Sequence, residues 1–393
     1  MDWIWLFCGG LSLGAVMYAY LVFPVILYIT TKFKQQQWTC YTAEDTKLPE
    51  VSIIIAAYNE ASVIAQKIHS TYASDYPGEK IEVLVGSDGS TDETDALVRE
   101  LQDQYPSLRF FRYEGRIGKP QVLNRLVLEA RHRILVLTDA NVMYDRDTLF
   151  HLVKYYRNPQ VGVVSSQVIP YNVRSDGIGL QEAAYTSFET RLKYWEGMIC
   201  GAMIGAFGAS YAMHRRFWTP IPPDAGPDDL FTVLQTLRKG GKALLSLQSR
   251  VREDIGNDPW MEFRRKVRIG TQNFTALFNH FLDVLWPWRG CVAFFFWSHK
   301  VLRWFSPFFL IIAWITHGML LGHSRWAEFM WWGETLSVGV ALADVALQRA
   351  GIHIGPLRLI RHFYVANIAL LVGFFKFLRH EHTQHWEPVR RFQ

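Results

Sequence analysis

The sequence predicts a membrane-anchored α/β protein built on a mainly parallel sheet. Three observations carry that expectation. The chain opens on an uncharged apolar run, Val/Ile-rich segments alternate with helical ones from Val51 to Thr138, and apolar stretches return from Val301 onward. The mean hydropathy of +0.02 therefore averages two unlike materials. With 393 residues, half of them apolar and 20% charged, the chain is too rich in core-forming residues for intrinsic disorder. Lys+Arg 41 against Asp+Glu 36 leaves +5, too weak a bias over this length for a nucleic-acid binder.

Residues 1–32 read as a membrane anchor. From Trp3 to Thr30 no charge interrupts the run, which exceeds the ~20 residues that a span requires. A secretory signal starts basic and has a shorter core. Here Met1-Asp2 leads, and Lys32 and Lys34 follow the run. The amino terminus is expected outside, with the next segment entering the cytoplasm.

Residues 49–256 read as water-soluble. Val51–Ala57 is a strand buried on both faces. Helix Glu60–Ala73, strand Ile81–Gly86, helix Thr91–Gln104, strand Leu108–Arg112, helix Lys119–Ala130 and strand Ile134–Thr138 follow. Strands spaced by helices of this length form βαβ units. Ligands of such sheets bind beyond the carboxyl ends of the strands. Three polar clusters stand there: Tyr58-Asn59-Glu60, Ser87-Asp88-Gly89-Ser90 and Asp139-Ala140-Asn141.

Residues 257–300 form an amphipathic, interfacial stretch. Residues 301–378 hold apolar spans at Val301–Leu321, Phe329–Leu347 and Val365–Phe377, before a basic tail at 379–393. Nine of the fifteen tryptophans lie between Trp286 and Trp386, as suits a chain at headgroup level. Glu334 and Asp344 fall in or beside the second span, where an ionisable group is either functional or turned toward another helix. The basic stretches Arg349–Arg361 and Arg379–Arg391 are one span apart. Both cannot face the cytoplasm unless Val292–Trp297 lies along the surface or one segment is re-entrant. Cys8, Cys40, Cys200 and Cys291 are scattered and read as reduced thiols.

Each chemical motif has a plain structural reading beside it. Asp88 can accept hydrogen bonds from a nucleoside, or merely organise a capping turn. Asp139 can hold a divalent cation that bridges two phosphates, or cap a turn. Lys119, at a helix start after Gly118, can reach a phosphate or stand solvated. Pro227-Asp228-Asp229-Leu230 opens a helix over Asp228–Lys239, where acids suit the dipole; only one of two neighbours caps, and the other can act as a general base. Arg264-Arg265-Lys266-Val267-Arg268 can meet anionic lipid or neutralise a leaving diphosphate.

In order and spacing, Val51–Glu60, Ser87–Asp92, Gly118-Lys119, Thr138–Asn141, Asp228-Asp229 and Arg265-x-x-Arg268 resemble the family 2 glycosyltransferases. The resemblance covers about Pro49 to Asn273 and, with the flanking spans, is similar to membrane-embedded hyaluronan, chitin and poly-N-acetylglucosamine synthases. It implies a GT-A fold, Rossmann-like, and inverting hexosyl transfer from a nucleotide-sugar, a UDP-sugar by expectation. By the same resemblance Tyr58, Glu60 and Asp88 line the nucleoside pocket, and Lys119, Arg265 and Arg268 seat the donor diphosphate. Asp139 and Asn141 hold Mg²⁺ or Mn²⁺. Asp229, beside Asp228, is the base, and Glu182–Trp195 with Gly197–Ser210 shape the acceptor side. Three departures stand out: Ser87 replaces an acid before Asp88, Asn141 replaces an aspartate in the metal motif, and Ile269 stands where processive synthases carry Trp.

The expected protein is an integral enzyme of the bacterial inner membrane with a cytosolic catalytic domain. It extends a cell-surface polysaccharide, with export subunits as possible partners. Single-sugar transfer to a lipid or lipid-linked acceptor is the rival expectation, favoured by Ile269. A non-catalytic nucleotide-sugar-binding subunit of an export complex is the alternative of another class.

Overall fold

The computed structural model describes residues 2–173, 178–254, 258–352 and 354–381. Eight strands form one sheet: β1 Val51–Ala57, β2 Ile81–Ser87, β3 Leu108–Arg112, β4 Ile134–Asp139, β5 Val142–Tyr144, β6 Val161–Tyr171, β7 Ser210–His214 and β8 Lys242–Asp254. Their spatial order is β3-β2-β1-β4-β7-β6-β8-β5. The β3-β2-β1-β4 half is wholly parallel, joined by α2 (Ile64–Tyr72), α3 (Thr94–Gln104) and α4 (Lys119–Glu129). Antiparallel pairing enters at β4–β7 and β7–β6, and again at β5–β8, while β6 and β8 run parallel. The sheet is mixed and mostly parallel, as expected.

Alternation along the strands divides the core. Ile53 and Ile55 face one layer with Val83, Val85, Val136, Ile64 and Ile68. Ile54 faces the other with Leu84, Leu135, Val122 and Leu126. Each fully buried side chain of this kind stabilises by about 1.5–3 kcal/mol. The second layer does not stop at the sheet. It continues through Leu192 of α5 (Gly179–Cys200) to Phe23 and Leu27 of α1 (Asp2–Phe33), and to Phe274, Phe296 and Trp304. One apolar core thus joins the sheet to the apolar helices at both ends of the chain.

Two helices start later than the sequence suggests. The amide of Glu60 donates to Thr94 Oγ1 at 2.8 Å, and that of Thr91 to Asn59 Oδ1 at 2.8 Å. The two loops are spent on each other, so helix begins only at Ile64 and Thr94. The expected helix from Asp228 is α6 (Asp228–Arg238) and the amphipathic stretch is α7 (Pro259–Thr275), capped by Asp258.

The apolar segments differ more. Helix α1 and α11 (Gly355–Leu378) are long and apolar enough to cross a membrane. The expected span Val301–Leu321 is broken: α8 (Cys291–Trp304) and α9 (Ser306–Gly318) meet at 61°, where Pro307 cannot donate a backbone bond to the turn before it. Counted as one span, the pair makes three among the described residues. Helix α10 (Arg325–Arg349) forms over the expected Phe329–Leu347, but falls short of the apolarity a span requires. Its acids face other helices: Glu334 pairs with His317 at 3.0 Å, and Asp344 with Arg361 at 3.1 Å. Beyond Glu381 the expected basic tail lies outside the described residues.

Cys200 and Cys291 were expected reduced, yet they form a disulfide. The close of α5 meets the start of α8 there, bringing together residues 91 apart. Cys8 and Cys40 remain free.

Candidate active site

The carboxyl ends of β1, β2 and β4 do converge. Asp88, at the end of β2, is 3% exposed. Its Oδ1 accepts from the Ile117 amide at 2.7 Å and its Oδ2 from the Gly118 amide at 3.1 Å. Arg116 reaches the same carboxylate at 4.0 Å and lies 3.5 Å over the Tyr58 ring. Tyr58, Asp88 and the Arg116–Gly118 loop are therefore one wall, with Asp88 bonded to the protein's own amides. Gly89 allows the turn: φ is +71°, and a Cβ there would lie 2.7 Å from the Gly115 carbonyl oxygen. Glu60, nearby on the β1 loop, is buried.

Lys119 ties two distant segments together. Its Nζ lies 2.8 Å from Asp139 Oδ1, at the end of β4, and 3.4 Å from Asp228 Oδ2, at the start of α6. Burial works against its charge, but Asp139 and then Asp228 outweigh burial and raise its pKa above the ordinary lysine value. The next residue, Asp229, faces the loop before β7: a Cβ built on Gly208 would lie 3.6 Å from its Oδ2. Burial first, and the Asp228 charge second, push Asp229 up to about 6, with Lys193 pulling the other way. Two carboxylate segments, 139 and 228–229, thus meet across one ammonium.

The two motif arginines are not equivalent. Arg265 is held by Glu262 through two bonds of 2.8 and 2.9 Å, with Glu182 at 3.9 Å. Lys266 bridges Glu182 and Glu262 at 2.8 and 3.2 Å. Among the described residues Arg268 has no direct ion pair. Burial and Arg265 lower its pKa, while Asp228 and Asp139 draw it the other way. Arg268 therefore senses the Asp139–Asp228 pair, and Arg265 is tied to α5 through Glu182.

A hard divalent cation takes oxygen donors. Asp139 and Asp228 already bring two carboxylate oxygens to one positive charge, so the donor chemistry fits such an ion, with remaining ligands left to diphosphate and water. Asn141, two residues on in the sequence, is an amide of the same oxygen-donor chemistry. Among the described residues no group of three His, Cys, Asp or Glu forms a self-sufficient metal cage.

Two buried lysines beside the site were not singled out from the sequence. Lys67 is fully buried; its Nζ donates to Thr138 Oγ1 at 2.9 Å and lies 3.7 Å from the Tyr144 ring centre. Its signal was periodic: Ile64, Lys67, Ile68 and Thr71 share the buried face of α2, and the spacing asks for an apolar residue there. Lys193 is 5% exposed, donates to the Ala206 carbonyl at 2.9 Å and lies over the Phe207 ring. Burial lowers it to about 8. Its signal was weaker, since α5 carries polar residues all round.

Residues 52–214 match the family model described as glycosyl transferase family 2. The chain is 27% identical over 190 residues to the beta-monoglucosyldiacylglycerol synthase of Synechocystis sp., 46% of this chain and 38% of that one. The synthase of the same name from Nostoc sp. is 34% identical over 119 residues, 30% of this chain and 25% of that one. Poly-beta-1,6-N-acetyl-D-glucosamine synthase of Staphylococcus epidermidis is 27% identical over 124 residues, 31% and 29% of the two chains. The chain thus spans well under half the length of these relatives. Among solved structures, the mannosyltransferase PcManGT from Pyrobaculum calidifontis, in complex with GDP-Man and Mn²⁺, has a TM-score of 0.70 at 22% identity, covering 97% of this chain and 99% of that one. The fold is shared.

Proposed function

We propose that the protein, whose residues 52–214 match the family 2 glycosyl transferase model on a fold of GT-A type, transfers a sugar, with inversion, from a nucleotide-sugar to an acceptor hydroxyl held at a membrane. The convergence of Asp139 and Asp228 on Lys119, with Asp229 beside them, carries this reading. Asp229 accepts the proton of the acceptor hydroxyl as its oxygen attacks the anomeric carbon. The bond to the donor diphosphate breaks, and the electron pair leaves on that diphosphate. Lys119 and Arg268 stabilise the growing charge, the kind of preorganised electrostatics that dominates such steps. Tyr58, Glu60 and Asp88 border the nucleoside, Asp88 by fixing the Arg116–Gly118 loop. Arg265 positions the acceptor side through Glu262 and Glu182. Asp139 and Asn141 would hold Mg²⁺ or Mn²⁺, which when bound neutralises diphosphate charge.

The domain reading is an anchor at 1–32, a catalytic domain at 49–256, an interfacial region at 257–300 and membrane helices at 301–378. It places the enzyme in a bacterial inner membrane with the site in the cytosol. The first acceptor reading is a growing cell-surface polysaccharide, supported by the Staphylococcus relative. Ile269, together with the two diacylglycerol-glucosylating relatives, favours a second: one sugar added to a lipid or lipid-linked acceptor. The test is to incubate membranes containing the protein with a panel of nucleotide-sugars and size the product. A polymer ladder supports the first reading and one discrete lipid the second. No nucleotide release with any donor overturns both and leaves a binding subunit.

A further inference from the structure

A second basic recess lies apart from the catalytic cleft. It measures about 350 Å³ and is lined by Lys34, Lys242, Arg289, Gly241, Cys200 and Cys291, among others, a volume in the range of small-ligand sites. Leu237, eight residues beyond Asp229 on α6, also borders it, which sets it about 12 Å along that helix from the base. Lys34 directly follows the last residue of α1, and Cys291 is the first of α8. The recess therefore opens at the level where one apolar segment ends and another begins. Trp286 and Trp288, stacked 4.9 Å apart and exposed, come just before Arg289, as aromatics do at the headgroup level.

The cations there have capacity to spare. Among the described residues no carboxylate lines the recess. Asp283 engages one terminal nitrogen of Arg289 at 3.1 Å, while the Arg289 Nε is buried with no hydrogen-bond partner among the described residues. Lys242 Nζ reaches the Cys200 carbonyl oxygen at 3.3 Å, and among the described residues no carboxylate pairs with it. Three cations around a small recess suit a compact anion with several acceptor oxygens. At the boundary of a membrane that group is the phosphate of an anionic lipid.

We propose that this recess binds the phosphate of an anionic phospholipid headgroup, separately from donor and acceptor. The proposal rests on α1 and the α8–α9 pair lying in the membrane. Carbonate extraction of membranes tests that premise first: release of the full chain into the supernatant overturns premise and proposal together. The site itself is tested by native mass spectrometry of the full chain, exchanged into mixed phosphatidylglycerol and phosphatidylcholine micelles. Wild type is expected to retain phosphatidylglycerol about tenfold over phosphatidylcholine. Lys34→Glu, at an exposed side chain whose loss does not threaten folding, and Lys242→Gln should each bring that preference near parity. Lys32→Gln, two residues away and outside the recess, should leave it unchanged. Equal loss in Lys32→Gln would show diffuse attraction and overturn the site. Full displacement of the lipid by millimolar inorganic phosphate would assign the recess to a soluble anion and overturn the lipid.

Discussion

At the residue scale, Asp229 and its neighbours set a pH dependence. Burial and Asp228 hold Asp229 at about 6, well above the ordinary carboxylate value near 4. A base must be ionised to accept a proton, so kcat/KM should fall as pH drops through about 6, where an unperturbed aspartate would hold activity to near 4. Lys193 pulls the Asp229 pKa down. Lys193→Met should therefore move the acid limb of the profile to higher pH, and a limb that stays put would remove Lys193 from the site. The polar clusters after β1, β2 and β4 were legible because strand ends announce themselves by composition. Their use was less so. Asp88 read as a ligand for a nucleoside or as the organiser of a turn, and its oxygens accept from the amides of Ile117 and Gly118, partners that one sequence cannot reveal because a loop 29 residues away supplies them. Lys67 hid for the opposite reason: a charged residue on an apolar face looks like a surface position until the sheet closes over it.

At the element scale, the close approaches of α7 decide what the basic motif can do. Gly373 of α11 packs on the α7 backbone so closely that a Cβ would meet the Val267 carbonyl oxygen at 2.9 Å and the Thr271 amide at 2.8 Å. Backbone cannot yield as a flexible side chain does, so Gly373→Val should separate the helices, lower the Tm in detergent by several degrees and reduce transfer. The position of α7 also separates the arginines. Arg268→Ala should lower kcat about 10²-fold, the scale of one lost transition-state donor, with a smaller change in KM. Arg265→Ala should act mainly on acceptor KM, since its guanidinium is spent on Glu262 and Glu182. Equal kcat losses in the two variants would refute this division. The βαβ order and every strand from β1 to β4 were legible from period and length. The break at Phe305 was not, because an apolar run has the same composition straight or bent by 61°.

At the scale of the whole molecule, a buried ionic cluster couples α5, packed on the sheet, to the apolar helix α8. Glu189 of α5 accepts from Arg303 at 2.7 Å and Lys300 at 2.8 Å, both on α8, and His299 lies between Glu189 and Glu196. Removing one partner leaves a charge buried and unpaired, which costs about 3–5 kcal/mol. Arg303→Met should therefore lower stability measured by thermal unfolding far more than an exposed change such as Lys32→Gln. No sequence pattern foretold that cluster, since its members lie more than 100 residues apart along the chain. The disulfide between Cys200 and Cys291 escaped for the same reason.

The catalytic arrangement itself is tested most directly by one variant. Asp229→Asn keeps the shape and removes the proton acceptor. In membranes it should bind nucleotide-sugar with near wild-type affinity while nucleotide release falls to background. Full turnover by that variant would contradict the account, because the acceptor's proton would then have another destination and the meeting of the 139 and 228–229 segments would need another purpose.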